Sequence, residues 1–383
     1  MSESSAPRAS NDVRKALRRA RIAGLLRNRP ETGPQTVHFD IANGCNTRCT
    51  TCWHHSPHLR SDVVPTTEWK RRQMPFASFR ELLDDLLALG GLEQIILSGM
   101  GEPFLNGEIY RMVEAAHRAG IGVTIITNLL LADVPRLLAS DGELELLTSI
   151  CGVSAEVWQA FHAHPRPRGF ETLLEQLGRL REAGFRPKHV QVINGQNVEE
   201  LVQMVEFGAA FHAKRINFKL ASLSRGTEAV GLSAAQRRRL RDDDLPRAMA
   251  RAAELGVETD LAAFARQIGD DPARTAPIEE VGCFMGFLYC RVTVDLELLY
   301  CCNTQVQVGT ITPAKSLRDW WLDPRYQALR DSVRGGRYFP GCQQCGKFKQ
   351  NLKWSNRLRQ TLPDEAFAAL LGRAKVGEVE QRR

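Results

Sequence analysis

Short apolar runs alternate with amphipathic stretches between residues 36 and 222. Six runs rich in branched apolar residues predict buried strands: 36–41, 94–98, 122–127, 144–150, 189–193 and 215–220. Five intervening stretches have apolar residues at helical spacing: 76–89, 106–119, 133–140, 170–183 and 197–212. Gly90-Gly91, Gly120 and Gly184 follow helical stretches, where a left-handed C-cap is expected. Six successive strand–helix units predict an α/β fold with parallel strands and right-handed crossovers.

Changes in pattern and composition divide the chain into five segments. They are a basic N-terminal tail with a helix near 11–28 (1–35), the strand–helix core (36–222), a helical bridge (223–280), a small cysteine-rich domain (281–350) and a helical tail (351–383). Within the bridge, the helical pattern is clearest from Leu232 to Leu255.

The composition indicates a globular protein of a reducing compartment. The chain has 383 residues, of which 43% are hydrophobic and 25% charged. No apolar run approaches the roughly 18 residues of a membrane span, and the N-terminus has no apolar signal core. Ten cysteines, most of them clustered, in a chain without a signal indicate metal ligands. We therefore expect a cytoplasmic protein without a membrane partner.

The net charge of +7 is concentrated at the two ends of the chain. Residues 1–35 and 346–383 each carry +5, so residues 36–345 carry −3. Basic tails are commonly solvated, and the acidic body makes a nucleic-acid partner unexpected. A zinc-stabilised nucleic-acid-binding protein remains the alternative from another functional class.

Cys45, Cys49 and Cys52 directly follow the first predicted strand. Their spacing allows one tight loop to direct three thiols at one point. A structural zinc site needs four ligands and commonly takes them in CxxC pairs, whereas each of the four irons of a cubic iron–sulfur cluster needs a ligand. Three cysteines would leave one iron free to bind a substrate or cofactor. A structural metal loop or three buried thiols are the alternatives.

CxxxCxxC at the end of a first strand resembles the radical S-adenosylmethionine (SAM) enzymes. The resemblance implies a partial (β/α)6 TIM-like barrel with its chemistry at the carboxyl ends of the strands. It also implies a [4Fe–4S] cluster whose open iron binds SAM, and an electron donor such as flavodoxin or ferredoxin. Cleavage of SAM then gives a 5′-deoxyadenosyl radical, which takes a hydrogen atom from the substrate.

Three later strand ends resemble motifs of the same family. Met100-Gly101-Glu102-Pro103 is similar to Gly-Gly-Glu-Pro, Thr127-Asn128-Leu129 to Thr-Asn-Gly, and Ser149-Ile150-Cys151-Gly152 to Ser-Ile-Asp-Gly. The resemblance implies that the SAM-contacting residues are Gly99, Gly101, Glu102, Asn128 and Ser149. Cys151 stands where an acidic residue is frequent, and we interpret it as a small buried residue.

One family feature is missing beside the third cysteine. The family usually has an aromatic residue before that cysteine, resting against adenine, but this chain has Thr51 there and Trp53 after it. His54, His55 and His58 follow, and we interpret them as exposed loop residues rather than as ligands.

The C-terminal cysteines resemble the auxiliary-cluster domain called SPASM, in its shortened, twitch-like form. Cys283 and Cys301 flank a hairpin pattern that has Leu296 at the family's glycine position, and a CxxC pair follows at Cys342 and Cys345. The resemblance implies that these four cysteines hold a second, auxiliary [4Fe–4S] cluster. The spacing alone also allows a zinc site.

Two further cysteines lie near this pattern. Cys302 is an alternative ligand to Cys301. Cys290 is a candidate hydrogen-atom donor, although it is equally compatible with a ligand or a buried thiol.

The resemblance leaves the substrate open. We expect oxidation or epimerisation of a small polar metabolite, similar to a sugar or an aminocyclitol, because no peptide-recognition domain is evident and the body is mildly acidic. A maturase of ribosomal peptides is the alternative within the family.

Overall fold

The computed structural model describes residues 11–164, 168–269, 276–302 and 306–371. The strands in these ranges are β1 (Thr36–Ala42), β2 (Gln94–Gly99), β3 (Gly122–Thr127), β4 (Leu144–Ser149), β5 (Lys188–Ile193), β6 (Arg215–Leu220), β7 (Tyr289–Val292), β8 (Glu297–Leu299) and β9 (Gln307–Thr310). The first six lie within two residues of the predicted strands.

The helices follow the strands closely along the chain. They are α1 (Asn11–Arg27), α2 (Thr67–Arg71), α3 (Phe76–Leu89), α4 (Ile109–Arg118), α5 (Val134–Leu138), α6 (Ala155–His162), α7 (Gly169–Glu182), α8 (Leu201–Ala210), α9 (Ala234–Arg239), α10 (Leu245–Glu254), α11 (Leu261–Ala265), α12 (Ile278–Val281), α13 (Met285–Leu288), α14 (Leu317–Leu322), α15 (Pro324–Arg334), α16 (Phe348–Thr361) and α17 (Asp364–Leu370). None of the described helices is both long and apolar enough to cross a membrane.

The described residues form two compact units. Of the described residues, the first unit contains those within 39–76 and 96–269, and the second contains those within 11–38, 77–95 and 276–371.

The first unit contains the parallel strands. The order of the strands is β6-β5-β4-β3-β2-β1, which is their order along the chain. The pairs β3–β4, β4–β5 and β5–β6 are parallel. This arrangement confirms the α/β fold of a partial (β/α)6 barrel and brings the carboxyl ends of successive strands to one edge.

Alternation along β6 separates an apolar face from a polar one. Ile193, Phe218 and Leu220 pack into a buried apolar cluster with residues of α8, α10 and α11. Asn217 and Lys219 lie on the opposite face of β6 and are accessible to solvent. The helices therefore cover one face, while polar side chains remain on the other.

Helix α6 was not among the predicted elements. It begins after Ser154, whose side chain accepts a hydrogen bond from the backbone N–H of Val157, and it ends at His162. Trp158 and Phe161 are buried. Its eight residues are too few for the apolar spacing to be distinctive in the sequence.

The second unit contains an antiparallel hairpin and its extension. Strands β7, β8 and β9 pair in that order. Leu296 in the β7–β8 turn has φ of 60°, a left-handed conformation that favours glycine. Leu296 therefore stands, without being glycine, in a conformation that glycine adopts most easily.

Candidate functional site

The loop after β1 brings three thiols together in the first unit. The hydroxyl of Thr47 lies 3.3 Å from Sγ of Cys45 and 3.5 Å from Sγ of Cys49. A backbone hydrogen bond of 2.9 Å from Cys52 N to Cys49 O closes the turn between the second and third cysteines. All three thiols are only partly exposed.

The end of α6 anchors this loop. Arg48 N donates to the carbonyl oxygen of His162 at 2.9 Å, and Thr50 N donates to that of Phe161 at 2.8 Å. The last carbonyl groups of a helix have no partner within the helix. The cysteine loop satisfies two of them, and in return the helix holds the loop in place.

The turn after β2 packs directly against the same loop. Gly101 N donates to Ala42 O at 3.1 Å, and Glu102 N donates to Gly44 O at 2.7 Å. A Cβ atom on Gly99 would overlap the carbonyl oxygen of Ala42, and one on Gly101 would overlap that of Gly44. These two glycines are therefore required by the close approach of two backbones within the protein.

The carboxyl group of Glu102 is buried beneath this turn. It accepts hydrogen bonds from Oγ1 of Thr127 at 2.6 Å, from N of Asn128 at 2.9 Å and from N of Phe104 at 3.3 Å. Burial raises the pKa of Glu102 to about 7, although the three hydrogen bonds act in the opposite direction. This group therefore titrates near neutral pH.

Asn128 connects the third strand end to the cysteine loop. Its side-chain amide donates to Oδ1 of Asn46 at 2.7 Å, and its Oδ1 accepts from N of Leu130 at 3.1 Å. Leu129, the residue between Asn128 and Leu130, has φ of 69° and is fully buried. Leu129, like Leu296, therefore has a left-handed conformation without being glycine.

Ser149 ends β4 in register with Val190, which is in register with Asn217. Lys219 lies two residues further along β6, in register with Val192. Polar residues of β4 and β6 thus share one face of the sheet, with Val190 and Val192 of β5 between them. Gly99, Gly101, Glu102, Asn128 and Ser149 all belong to the unit that carries the three thiols.

The charge environment of the thiols suits a positively charged ligand. Burial raises the pKa of Cys45 to about 12, and the Glu102 carboxylate adds to the effect. Burial also raises the pKa of Cys49 well above its ordinary value, as do the charges of Cys45 and Cys52. Thiolates packed this closely repel each other, so bound metal is what would stabilise their charged form.

Cys151 lies near this group but is engaged in backbone contacts. Its Sγ accepts a hydrogen bond from N of Val192 at 3.3 Å. Its own N–H donates to Oε1 of Gln191 at 2.8 Å, and its carbonyl accepts from Asn197 at 3.0 Å. The thiol is fully buried, in keeping with its interpretation as a small buried residue.

The aromatic and histidine side chains after the third cysteine make contacts within the first unit. Trp53 Nε1 donates to Ser222 O at 2.7 Å, and His55 Nε2 lies 2.9 Å from Asn43 O. The rings of His54 and Trp69 are 5.1 Å apart. Only His58 among the three histidines is largely exposed, so the expectation of three exposed histidines was wrong for the other two.

A second group of thiols lies in the second unit. Cys283, Cys342 and Cys345 pack against a buried apolar cluster formed by Ala276, Ile278, Val281 and Phe348. Burial raises the pKa of Cys283 to about 12, and the charges of Cys342 and Cys302 add to the effect.

Cys290 is fully buried in the second unit. Burial raises its pKa, while the nearby Arg330 guanidinium acts in the opposite direction. Among the described residues, no three or more His, Cys, Asp or Glu side chains have the arrangement of ligands to one metal ion.

Comparisons with known proteins find one family model that matches part of the chain. Residues 39–208 match the sequence model of the Radical SAM superfamily. No curated protein matches the whole sequence significantly.

Solved structures share the fold over most of the chain. Streptococcus suis SuiB bound to S-adenosylmethionine has a TM-score of 0.62 at 18% identity, over 92% of this chain and 81% of that one. Native anSMEcpe with bound AdoMet has a TM-score of 0.60 at 12% identity, over 88% of this chain and 97% of that one. At these identities the likeness establishes the fold.

Proposed function

Because residues 39–208 match the sequence model of the Radical SAM superfamily, we propose that this chain is a radical SAM enzyme that abstracts a hydrogen atom from a small polar substrate and so oxidises or epimerises it. The observation that carries the proposal is the convergence of three thiols on the loop after β1, next to the Glu102 turn. The family uses a [4Fe–4S] cluster together with SAM.

Cys45, Cys49 and Cys52 would hold the cluster. Three thiolates leave one iron without a protein ligand, as a cofactor-binding cluster requires. When bound, the cluster and SAM supply the 5′-deoxyadenosyl radical that removes hydrogen from the substrate. The loop is held by carbonyl groups of α6 and by the turn after β2, so the thiols are positioned before any metal binds.

Glu102 and Asn128 would orient SAM beside the cluster. An ionised Glu102 offers negative charge for the SAM ammonium group, and its pKa of about 7 makes that charge depend on pH near neutrality. Asn128 positions Asn46 on the cysteine loop through the 2.7 Å hydrogen bond. Gly99, Gly101 and Ser149 complete the proposed SAM-contacting set.

The polar face of β4 to β6 supports a small polar substrate. Ser149, Asn217 and Lys219 lie on one face of the sheet, towards the carboxyl ends of β4 and β6. Hydroxyl, amide and ammonium groups at such positions suit hydrogen bonds to hydroxyl or carboxylate groups of a substrate.

A peptide substrate is the second candidate. SuiB bound to precursor peptide SuiA has a TM-score of 0.62 with this chain, over 94% of this chain and 81% of SuiB. Native anSMEcpe with AdoMet and Kp18Cys peptide has a TM-score of 0.58. These likenesses in fold make a peptide the first alternative to test.

The second thiol group would hold an auxiliary [4Fe–4S] cluster. Such a cluster needs four protein ligands, and Cys283, Cys342 and Cys345 supply three of them, with either Cys301 or Cys302 as the fourth. It would accept an electron from the substrate radical in an oxidation. The complete burial of Cys290 gives no support to its role as a hydrogen-atom donor.

Metal content and SAM cleavage test the proposal together. Anaerobically reconstituted protein should hold about eight irons per chain, with the visible absorption of iron–sulfur clusters. With dithionite and SAM it should form 5′-deoxyadenosine, faster in the presence of the correct sugar-like or peptide substrate. Zinc without visible absorption, combined with salt-dependent binding of DNA or RNA, would favour the nucleic-acid-binding alternative instead.

Two variants separate the two clusters. Cys49→Ala should abolish formation of 5′-deoxyadenosine because the first cluster loses a ligand. Cys342→Ala should keep part of that activity but form no product. Continued SAM cleavage by Cys49→Ala would contradict the assignment of the first site.

A further inference from the structure

The fourth ligand of the second thiol group is not the residue that the family pattern selects. We propose that Cys302, and not Cys301, completes the set formed by Cys283, Cys342 and Cys345. The inference rests on the proposed auxiliary cluster. The test below distinguishes a wrong assignment of Cys302 from the absence of the auxiliary cluster.

Packing places the Cys302 thiol against the CxxC turn. A Cβ atom built on Gly346, the residue directly after Cys345, would lie 3.1 Å from Sγ of Cys302. Because Gly346 has no side chain, the Cys302 sulfur can lie beside its backbone without this tight contact. The Cys302 sulfur therefore lies beside the turn that carries two of the other three thiols.

The side chain of Asn351 connects two members of the same set. Its Nδ2 lies 4.0 Å from Sγ of Cys345, and it also forms a hydrogen bond with the side chain of Cys283. Its Oδ1 accepts from N of Phe284 at 2.9 Å. Asn351 is fully buried, so it fixes the positions of Cys283 and Cys345 relative to each other.

The electrostatic neighbours of each thiol agree with this placement. After burial, the Cys302 thiol is the largest charge that raises the pKa of Cys345. It also contributes to the raised pKa values of Cys342 and Cys283. Such contributions arise between groups that are close in space.

Cys301 also has aromatic neighbours. After burial and the charge of Cys290, it contributes to the raised pKa of Tyr326. Tyr326 is completely buried and lies with its ring against Trp321 and Tyr300. Cys301 therefore lies beside this aromatic core. Both thiols also lie near Lys347, where Cys302 contributes more to the pKa than Cys301 does.

Positive charge is available on the side of Cys302. The Arg291 guanidinium donates to the carbonyl oxygen of Cys302 at 3.4 Å. Lys347, two residues after Cys345, lies over the ring of Tyr289 at 4.0 Å. Four thiolates around an iron–sulfur cluster carry net negative charge, which these cations would offset.

A matched pair of variants tests the proposal. Full-length protein with Cys45, Cys49 and Cys52 all changed to alanine lacks the first site, so its metal reports on the second site alone. In this background, Cys301→Ala and Cys302→Ala are compared after anaerobic reconstitution. Iron, sulfide and zinc per chain are measured with the EPR spectrum, and circular dichroism checks folding.

We expect the background and Cys301→Ala to hold about four irons per chain, and Cys302→Ala to lose the cluster or keep a three-iron form. The reverse result, or equal retention by both variants, would overturn the assignment of Cys302. A background that binds zinc would refute the auxiliary iron cluster, yet loss of zinc by Cys302→Ala alone would still support Cys302 as a ligand. A background that binds no metal would overturn both proposals.

Alkylation provides a check without the triple substitution. In reconstituted wild-type protein, iodoacetamide should modify Cys302 only after a chelator removes the metal, as measured by peptide mass spectrometry. Cys302 modified as readily with metal as without it would contradict the proposal.

Discussion

Glu102 is a buried carboxyl group whose proton is lost near neutral pH. Its ordinary pKa of 4.5 rises to about 7 through burial. Between these two pH values, the folded chain keeps a proton that the unfolded chain has released. The contribution of Glu102 to stability is therefore complete below pH 4.5 and is lost as the pH rises through 7.

Glu102→Gln should remove this loss from the metal-free protein. The wild type should lose up to about 3 kcal/mol of unfolding free energy through this group between pH 4.5 and 8, because one pKa unit corresponds to about 1.4 kcal/mol. The variant should show a smaller decrease. Urea unfolding at pH 5 and pH 8 measures the difference, and equal pH dependence in both proteins would contradict the assigned shift.

His189 shows the opposite dependence on pH. It is fully buried beside Phe207, and neither ring nitrogen has a hydrogen-bond partner among the described residues. Burial lowers its pKa from 6.5 to about 3. The unfolded chain thus binds a proton between these values while the folded chain does not, so stability is lost as the pH falls below 6.5.

His189→Leu should therefore stabilise the protein, and more so in acid. We expect a gain of about 1 kcal/mol at pH 7, because two unsatisfied polar atoms leave the core. The gain should grow by about 1.4 kcal/mol for each pH unit below 6. Urea unfolding at pH 7 and pH 5.5 provides the measurement, with exposed His212→Asn as the control that should change little.

At the scale of elements, the β2 turn and the cysteine loop form one packed assembly. Gly101→Ala should prevent the first cluster from assembling, because the added methyl group overlaps the carbonyl oxygen of Gly44. Iron per chain should fall from about eight to about four. Gly107→Ala is the matched control, since its Cβ would meet no atom within 4 Å, and an equal loss of iron there would contradict the argument.

Periodicity was sufficient to locate the parallel strands, because each is a short apolar run bounded by glycine or polar residues. Helix α6 was not predicted because it has only eight residues. It holds the cysteine loop through two backbone carbonyl groups, which are present whatever the side chains are. The Ser154 cap and the buried Trp158 were the available signals. The contribution of α6 to the cysteine loop became visible only in three dimensions.

The candidate site was predictable where chemistry depends on residue type. The three thiols and Glu102 lie close together in the structure, and their roles in binding a cluster and SAM stay predictions. The choice between Cys301 and Cys302 was not predictable, because a shift of one residue is decided by the local path of the chain. Likewise, Leu129 and Leu296 keep φ values of 69° and 60°, which the side-chain identity alone would not suggest.

At the scale of the whole molecule, each unit has its own core. The second unit is centred on Arg330, which is 1% exposed. Its guanidinium donates to the carbonyl oxygens of Gly286 at 2.8 Å and Trp321 at 2.9 Å, and it lies 4.1 Å from the centre of the Tyr326 ring. This one side chain connects α13, α14 and α15.

Arg330→Met should destabilise the second unit by about 3 kcal/mol, because two buried carbonyl groups lose their donor. Hydrogen exchange should quicken in α13 to α15 while β4 to β6 keep their protection. Arg325→Met on the exposed side of α15 is the control. Uniformly faster exchange across both units would show that the cores are not separately stabilised.

The close contact of Gly101 with Gly44 links two binding equilibria. The cysteine loop would carry the first cluster and the β2 turn would face SAM, so neither backbone can move without the other. Linkage is reciprocal: the factor by which the assembled cluster raises the affinity for SAM must equal the factor by which SAM raises the affinity for the cluster. SAM should accordingly protect this iron against removal by chelators. The cofactor would then stabilise the cluster to which it binds.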